Sequence, residues 1–126
     1  MAMESLGIKG NFFHIYDFRV KAGTGDQFIE MFNEWDYSDD NPMHKSPAQV
    51  KDGTLCRDTE DADHFYLIGE WSDIEVHRAT RKTIKRPPGP SFVDLIEGGN
   101  FEPLWAEVVS ATPQAILDKA AAQRNA

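Results

Sequence analysis

Two segments of the sequence carry large side chains on both faces of a predicted strand, and this pattern most constrains the fold. In the segment HFYLIGEW, strict alternation places Phe65 on one face and Tyr66 and Ile68 on the other. The segment NFFHIYDFRVK, residues 11–21, alternates in the same way, with aromatic residues on both faces. Strands with bulky groups on both faces are typical of a sheet that is covered on both sides.

Apolar residues at helical spacing predict a helix directly after the first strand. A cap is available at Thr24 or Asp26, and the apolar positions follow at i, i+3, i+4 and i+7: Phe28, Met31, Phe32 and Trp35. A long proline-containing loop then covers residues 36–47. The next segment, residues 48–57, predicts a second strand with a bulge or turn at Gly53.

Three further elements follow the third strand, which is the HFYLIGEW segment. A second helix is predicted over residues 74–85, since Ser72 or Asp73 can cap its start and the PPGP sequence ends it. A short helical stretch at residues 92–96 closes at two glycines. Residues 104–111 then supply a fourth strand.

The order strand, helix, strand, strand, helix, strand predicts an α+β fold, the split βαβ arrangement of ferredoxin-like domains with an antiparallel sheet. We expect one domain over residues 11–111, after an N-terminal segment at residues 1–10 and before a C-terminal helical tail at residues 112–126. Two helices cover only one face of such a sheet. Because the other face would expose large apolar groups, we expect a second copy of the chain to cover it in a homodimer.

Composition excludes several classes of function. Thirteen basic and twenty-one acidic residues give a formal charge of -8, which opposes binding to nucleic acid. No segment approaches the roughly 20 apolar residues that span a membrane, and the first residues lack the apolar stretch of a signal peptide, so we expect a cytoplasmic protein. One local basic run is interpreted as a solvated helix face: Arg78, Arg81, Lys82, Lys85 and Arg86.

The cysteine and histidine patterns predict neither a disulfide nor a metal site. Cys56 is the only cysteine, so no internal disulfide can form, and we expect a buried strand thiol. His64 lies beside Asp61 and Asp63, and this cluster is interpreted as a solvated turn, because no histidine pair in the sequence has a metal-ligand spacing. We therefore predict no metal and no other cofactor.

The segments FHIYDFRVKAGTGDQFIEMFNEW and RDTEDADHFYLIGEWSDIEVHRAT resemble the antibiotic-biosynthesis-monooxygenase-like family of dimeric α+β barrels. The resemblance covers residues 11–111, and its most telling element is the third strand, which ends in Glu70 and Trp71 before a polar cap and a helix with His-Arg-Ala-Thr. The chain departs from the family in its long loop, in the short gap between Trp71 and His77, and in the PPGP break. The resemblance implies a pocket for a flat aromatic molecule between sheet and helices.

Members of this family include cofactor-free oxygenases that convert polycyclic phenols to quinones, so the resemblance implies a small aromatic substrate and molecular oxygen. Such a reaction needs a base that deprotonates the phenol and donors that hold the resulting anion. His14 on the first strand and His77 on the second helix are the candidate bases. Tyr66 or Tyr16 is the candidate hydroxyl donor, and Trp71 is the candidate aromatic wall.

Each candidate also has a purely structural interpretation. Trp71 can fill the core at a strand end, the two tyrosines can belong to a dimer interface, His14 can be a satisfied sheet histidine, and His77 can be a surface residue. The alternative function is a non-catalytic dimeric barrel that binds a small apolar ligand or serves in a stress response. A third is haem binding or degradation, because relatives of this fold use an Asn on the first strand, a Trp on the third and a His on the second helix. Of these, only Trp71 matches.

Overall fold

The computed structural model describes residues 2–85, 88–99 and 101–124. Its strands form one antiparallel sheet in the order β2-β3-β1-β4, which is the order of a split βαβ domain. The sheet confirms the α+β, ferredoxin-like fold that the sequence predicts. The strands are β1 (Phe12–Arg19), β2 (Gln49–Arg57), β3 (His64–Trp71) and β4 (Pro103–Glu107).

The register of the two central strands decides which side chains share a face. In the β1–β3 pair His14 lies opposite Gly69, Tyr16 opposite Leu67, and Phe18 opposite Phe65. Because side chains alternate along a strand, these residues point to one face, which we call the inner face. Their sequence neighbours point to the other, outer face.

Helix α1 (Gly25–Asp36) and helix α2 (Ile74–Lys82) cover the inner face, and helix α3 (Gln114–Arg124) forms the tail. The side chain of Asp73 caps α2 by accepting from the amides of Glu75 and Val76. Thr24, one of the two predicted capping residues, is the N-cap residue of α1, but its side chain makes no capping hydrogen bond. Its hydroxyl donates to the carbonyl of Lys21 instead.

The core is a cluster of phenylalanine rings between the inner face and α1. Phe18, Phe28, Phe32, Phe65 and Phe92 are each at most 7% exposed. Phe28 of α1 packs on Phe65 of β3 with ring centroids 5.0 Å apart, and on Phe18 of β1 at 5.5 Å. Burying such a ring stabilises the fold by about 1.5–3 kcal/mol, so this cluster fixes α1 on the sheet.

Several predicted boundaries differ from the structure. Helix α2 ends at Lys82 rather than residue 85, and β4 ends at Glu107 rather than residue 111. The register of β2 shifts between Lys51 and Thr54, which confirms an irregularity at the predicted bulge. The predictions for Arg86, Pro87 and residues 125–126 lie outside the described residues.

The expectation for Cys56 is wrong, because this thiol is exposed. Its strand, β2, is the edge of the sheet next to β3, and Cys56 pairs in register with Tyr66 on the outer face. An edge strand on an uncovered face leaves such side chains open to solvent.

The outer face is covered at one end by the N-terminal segment. The amide of Ile8 donates to Glu70 Oε2 at 2.9 Å, and Asn11 Nδ2 donates to the same oxygen at 2.8 Å. Toward the β4 edge this face is open, and Leu104 is 67% exposed. Among the described residues, no helix is long and apolar enough to cross a membrane.

Candidate active site

A cavity of about 330 Å³ lies between the inner face of the sheet, the end of α1 and residues 91–93, 99 and 101. Its walls are mostly aromatic and aliphatic, as is usual for a small-molecule site. A few polar groups converge on it, among them His14 and Tyr16 of β1 and Asp36 at the end of α1. The apolar walls include Phe18, Phe32, Trp35, Met43, Leu67, Phe92 and Phe101.

His14 lies on β1 at the sheet side of this cavity and is 2% exposed. Two glycines make room for its ring. A Cβ at Gly69 would lie 2.6 Å from His14 Cε1, and one at Gly53 would lie 3.3 Å from Nε2. Trp71 Nε1 donates to His14 Nδ1 at 2.8 Å, while His14 Nε2 is buried and has no hydrogen-bond partner among the described residues.

His77 of α2 stacks on His14, with ring centroids 4.8 Å apart and an angle of 23° between the rings. Trp105 Nε1 on β4 donates to His77 Nδ1 at 2.8 Å. His77 Nε2 lies 3.3 Å from the hydroxyl oxygen of Tyr16. Two tryptophans, two histidines and a tyrosine from four elements thus form one hydrogen-bonded and stacked network below the cavity.

Burial keeps this network uncharged at neutral pH. It lowers the pKa of His14 to about 3, with a further contribution from His77. It also lowers the pKa of His77 to about 4, and the positive charges of Arg81 and Arg78 act in the same direction. Burial raises the pKa of Tyr16 to about 12, although the guanidinium of Arg81 opposes the shift.

A second polar cluster lies at another part of the cavity wall. Asp36, which ends α1, accepts from Asn41 Nδ2 at 2.9 Å, and His44 Nε2 lies 2.9 Å from Asp52 Oδ1 and 3.6 Å from Asp36 Oδ1. Burial raises the pKa of Asp36, and the nearby charge of Asp52 raises it further. His44 and the hydrogen bond from Asn41 act in the opposite direction but do not cancel the rise. One oxygen or nitrogen from each of Asp36, His44 and Asp52 lies within 4.8 Å of the others, so these three groups could hold a divalent ion.

The structure brings together four of the five residues that the sequence singled out. His14 lines the cavity, and Trp71 and His77 contact His14 from behind rather than forming the wall. Tyr66 lies on the outer face opposite Asp17 and is not among the lining residues, so Tyr16 occupies the position that the sequence left open between the two.

Sequence reasoning missed Trp105 and the cluster around Asp36. Trp105 comes from β4, and its position opposite His14 depends on a register that a single sequence does not show. The loop 36–47 did carry a signal: it holds Asp36, Asp39, Asp40 and His44, which can bind protons or metals. Loops with such residues are frequent at functional sites.

The residues of the network do not fit haem. The haem alternative calls for a histidine on the second helix, and His77 is the histidine of α2. Its side chain is fully buried, and both ring nitrogens are engaged by Trp105 and Tyr16. The position on β1 that faces the cavity is His14, whereas Asn11 pairs with Glu70 at the outer face.

A comparison of the sequence with models of protein families gives no match, and a comparison with curated proteins gives none. Solved structures do share the fold, which is that of the antibiotic-biosynthesis-monooxygenase-like proteins, as the sequence resemblance implied. One is the cofactor-independent oxygenase SnoaB from Streptomyces nogalater, with 16% identity, a TM-score of 0.55, and coverage of 82% of this chain and 98% of SnoaB.

Two more solved structures show the range of functions described for this fold. A candidate antibiotic biosynthesis monooxygenase from Nitrosomonas europaea has 11% identity and a TM-score of 0.59, covering 85% of this chain and 98% of its own. The haem-degrading protein MhuD from Mycobacterium tuberculosis has 16% identity and a TM-score of 0.56, and the match covers 81% of this chain and 99% of MhuD. At such low identity these similarities establish the fold alone, because one fold supports many functions.

Proposed function

We propose that this protein is a cofactor-independent monooxygenase that oxidises a small phenol or anthrone-like aromatic to a quinone. One observation carries the proposal: His14 lines a mostly apolar cavity, and its buried Nε2 has no hydrogen-bond partner among the described residues. Such a polar atom in an apolar cavity is satisfied when a ligand supplies the missing hydrogen bond. The similarity to SnoaB, described as a cofactor-independent oxygenase, supports the same chemistry.

The reaction needs no electron source beyond its substrate. Loss of the phenol proton gives an electron-rich anion, which passes an electron to molecular oxygen. A C–O bond then forms at the ring carbon that loses its hydrogen, the O–O bond breaks, and the second oxygen atom leaves as water. The substrate is oxidised by four electrons overall, and oxygen accepts all four, so neither metal nor flavin is required.

The cavity supplies the groups for this chemistry. Aromatic side chains such as Phe92 and Phe101 offer surfaces against which a flat ring can pack, and the volume of about 330 Å³ is near the lower end for ligand sites, which favours a small substrate. We propose that His14 and Tyr16 contact the reacting oxygen, with Trp71 and His77 supporting them from behind. Asp36 is the proposed proton acceptor, because it lines the cavity and burial raises its pKa.

We further propose that the outer face pairs with a second copy of the chain. Large apolar side chains lie on it in register: Ile15 beside Ile68 and Leu104. Leu104→Asp replaces a side chain that is 67% exposed in one copy, so it should separate the dimer without unfolding the monomer. Tyr37→Asp is the control, because Tyr37 is 76% exposed and lies at the end of α1, away from the outer face. Sedimentation should give a dimer for the wild type and control and a monomer for Leu104→Asp.

Oxygen uptake tests the catalytic proposal directly. Protein freed of metal and flavin is given a panel of anthrones, hydroquinones and phenols in an oxygen electrode, and wild type is compared with His14→Ala, His77→Ala and Trp71→Phe. Uptake with at least one substrate that is lost in His14→Ala, while fold and oligomeric state persist, supports the oxygenase. Tight binding of the same aromatics without any uptake would instead support the alternative, a non-catalytic barrel for small apolar ligands.

A further inference from the structure

Each of the two stacked histidines is held by a tryptophan. Trp71 Nε1 and Trp105 Nε1 approach Nδ1 of His14 and His77, both at 2.8 Å. An indole nitrogen can only donate a hydrogen bond, so the direction of both bonds is fixed. In both histidines the Nδ1 lone pair is therefore the acceptor.

The tautomer of each ring follows from its charge. Burial lowers the pKa values of His14 and His77 far enough that both rings are neutral at pH 7. A neutral imidazole carries one proton on one of its two nitrogens. Because Nδ1 accepts in both residues, the proton lies on Nε2 in both.

The two Nε2–H groups point to different partners. That of His77 donates to the hydroxyl oxygen of Tyr16 at 3.3 Å, which leaves the hydroxyl proton of Tyr16 available to another acceptor. That of His14 is buried with no partner among the described residues, and His14 is one of the residues that line the cavity. A buried donor without an acceptor is unfavourable, and an oxygen atom of a ligand would satisfy it.

We propose that Trp71 and Trp105 are positioning residues that fix His14 and His77 as Nε2–H donors, so that the cavity recognises an anionic phenolate or enolate oxygen. This inference rests on the proposed function and assigns roles within it. His14 stabilises the deprotonated substrate and does not remove its proton, because its only acceptor nitrogen is occupied by Trp71.

The charges around the cavity are compatible with this assignment. Lys85 lines the cavity, and Arg81 lies with its guanidinium carbon 6.0 Å from the centre of the Tyr16 ring. The carboxylates of Asp36 and Asp52 also line it, but they bond to Asn41 and His44. Donors and carboxylates thus belong to separate clusters, which lets one part of the cavity hold an oxyanion while another accepts the proton.

Nuclear magnetic resonance of ¹⁵N-labelled histidine tests the tautomers. In wild type at pH 7.5, His14 and His77 should both show a protonated Nε2 and an unprotonated Nδ1. Trp71→Phe removes the donor to His14 alone, so the His14 signals should move toward a tautomer mixture while those of His77 stay in place. Trp105→Phe should do the reverse, and each variant is the control for the other. A protonated Nδ1 in wild-type His14 would overturn the proposal.

The absorption spectrum of 4-nitrophenol tests the recognition, because its anion and neutral form differ in colour. Wild type should bind the anion about tenfold more tightly than the neutral form, the ratio expected for one charge-assisted hydrogen bond, which lowers the apparent pKa of the bound phenol by about one unit. His14→Phe should lose this preference. His14→Asn keeps an N–H donor and should recover part of it.

The outcomes separate this inference from the proposed function. Preferential binding of neutral 4-nitrophenol, or no binding, overturns the recognition of phenolates even if the protein takes up oxygen with another substrate. Anion binding with the expected tautomers supports it even if no oxygen uptake is found, in which case only the oxygenase proposal fails. Melting curves of each variant show that the fold is retained.

Discussion

The two buried neutral histidines should make the fold sensitive to mild acid. Burial lowers the pKa of His14 to about 3 and that of His77 to about 4, whereas a histidine in an unfolded chain has a pKa of about 6.5. Below pH 6.5 the unfolded chain therefore binds a proton at each of these two histidines, whereas the folded chain does not. The contribution of the two neutral histidines to the free energy of unfolding is therefore fully present above pH 6.5 and is lost as the pH falls.

The size of the effect follows from proton linkage. At pH 5 an unfolded histidine is protonated almost completely, which favours unfolding by about 2 kcal/mol per residue relative to pH 8. Urea unfolding followed by tryptophan fluorescence, at one protein concentration and at pH 5 and pH 8, measures this in wild type and in His14→Asn. Carboxylates contribute equally to both proteins. The decrease in the free energy of unfolding from pH 8 to pH 5 should therefore be about 2 kcal/mol smaller in His14→Asn than in wild type. Equal losses would show that His14 is not a buried neutral group and would contradict the tautomer assigned to it.

Three further predictions follow from the site. Gly69→Ala places a methyl 2.6 Å from His14 Cε1 and should lower the free energy of unfolding in urea by about 1–3 kcal/mol. Gly53→Ala should lower it less, because its methyl meets its nearest neighbour, the side chain of Leu67, at 3.2 Å. The reverse order would contradict the placement of the His14 ring. Tyr16→Phe should lower the rate of oxygen uptake by about tenfold, whereas Tyr66→Phe on the outer face should leave it unchanged. Treatment with a chelator should not alter uptake, and a loss that an added divalent ion restores would point to a bound metal.

The fold was largely predictable from local patterns. The third strand was predicted with both of its ends, and the arrangement followed from the order of elements and from alternation in β1 and β3. Ends that depend on tertiary contacts were not predictable. Helix α2 stops at Lys82 although the pattern continues, and β4 stops once its pairing with Phe12 at the start of β1 is complete.

The site was predictable in part. Four members of the network were named from the sequence: His14 and His77 as candidate bases, Tyr16 as one of two candidate hydroxyl donors, and Trp71 as a candidate aromatic wall. Their hydrogen bonds were not predictable, because they depend on the β1–β4 register that brings Trp105 beside His77. The choice between Tyr16 and Tyr66 required knowing which face the helices cover, since both faces of these strands are aromatic.

The fate of the oxygen atoms tests the central claim most directly. Protein freed of metal and flavin is incubated under ¹⁸O₂ with the substrate that gives the fastest uptake, and the product is analysed by mass spectrometry at short times. The account predicts a quinone that carries one ¹⁸O atom, formed by wild type and not by His14→Ala. A product without label, or equal formation by the two proteins, would contradict the claim that the His14 cavity is the site of a cofactor-independent oxygenase.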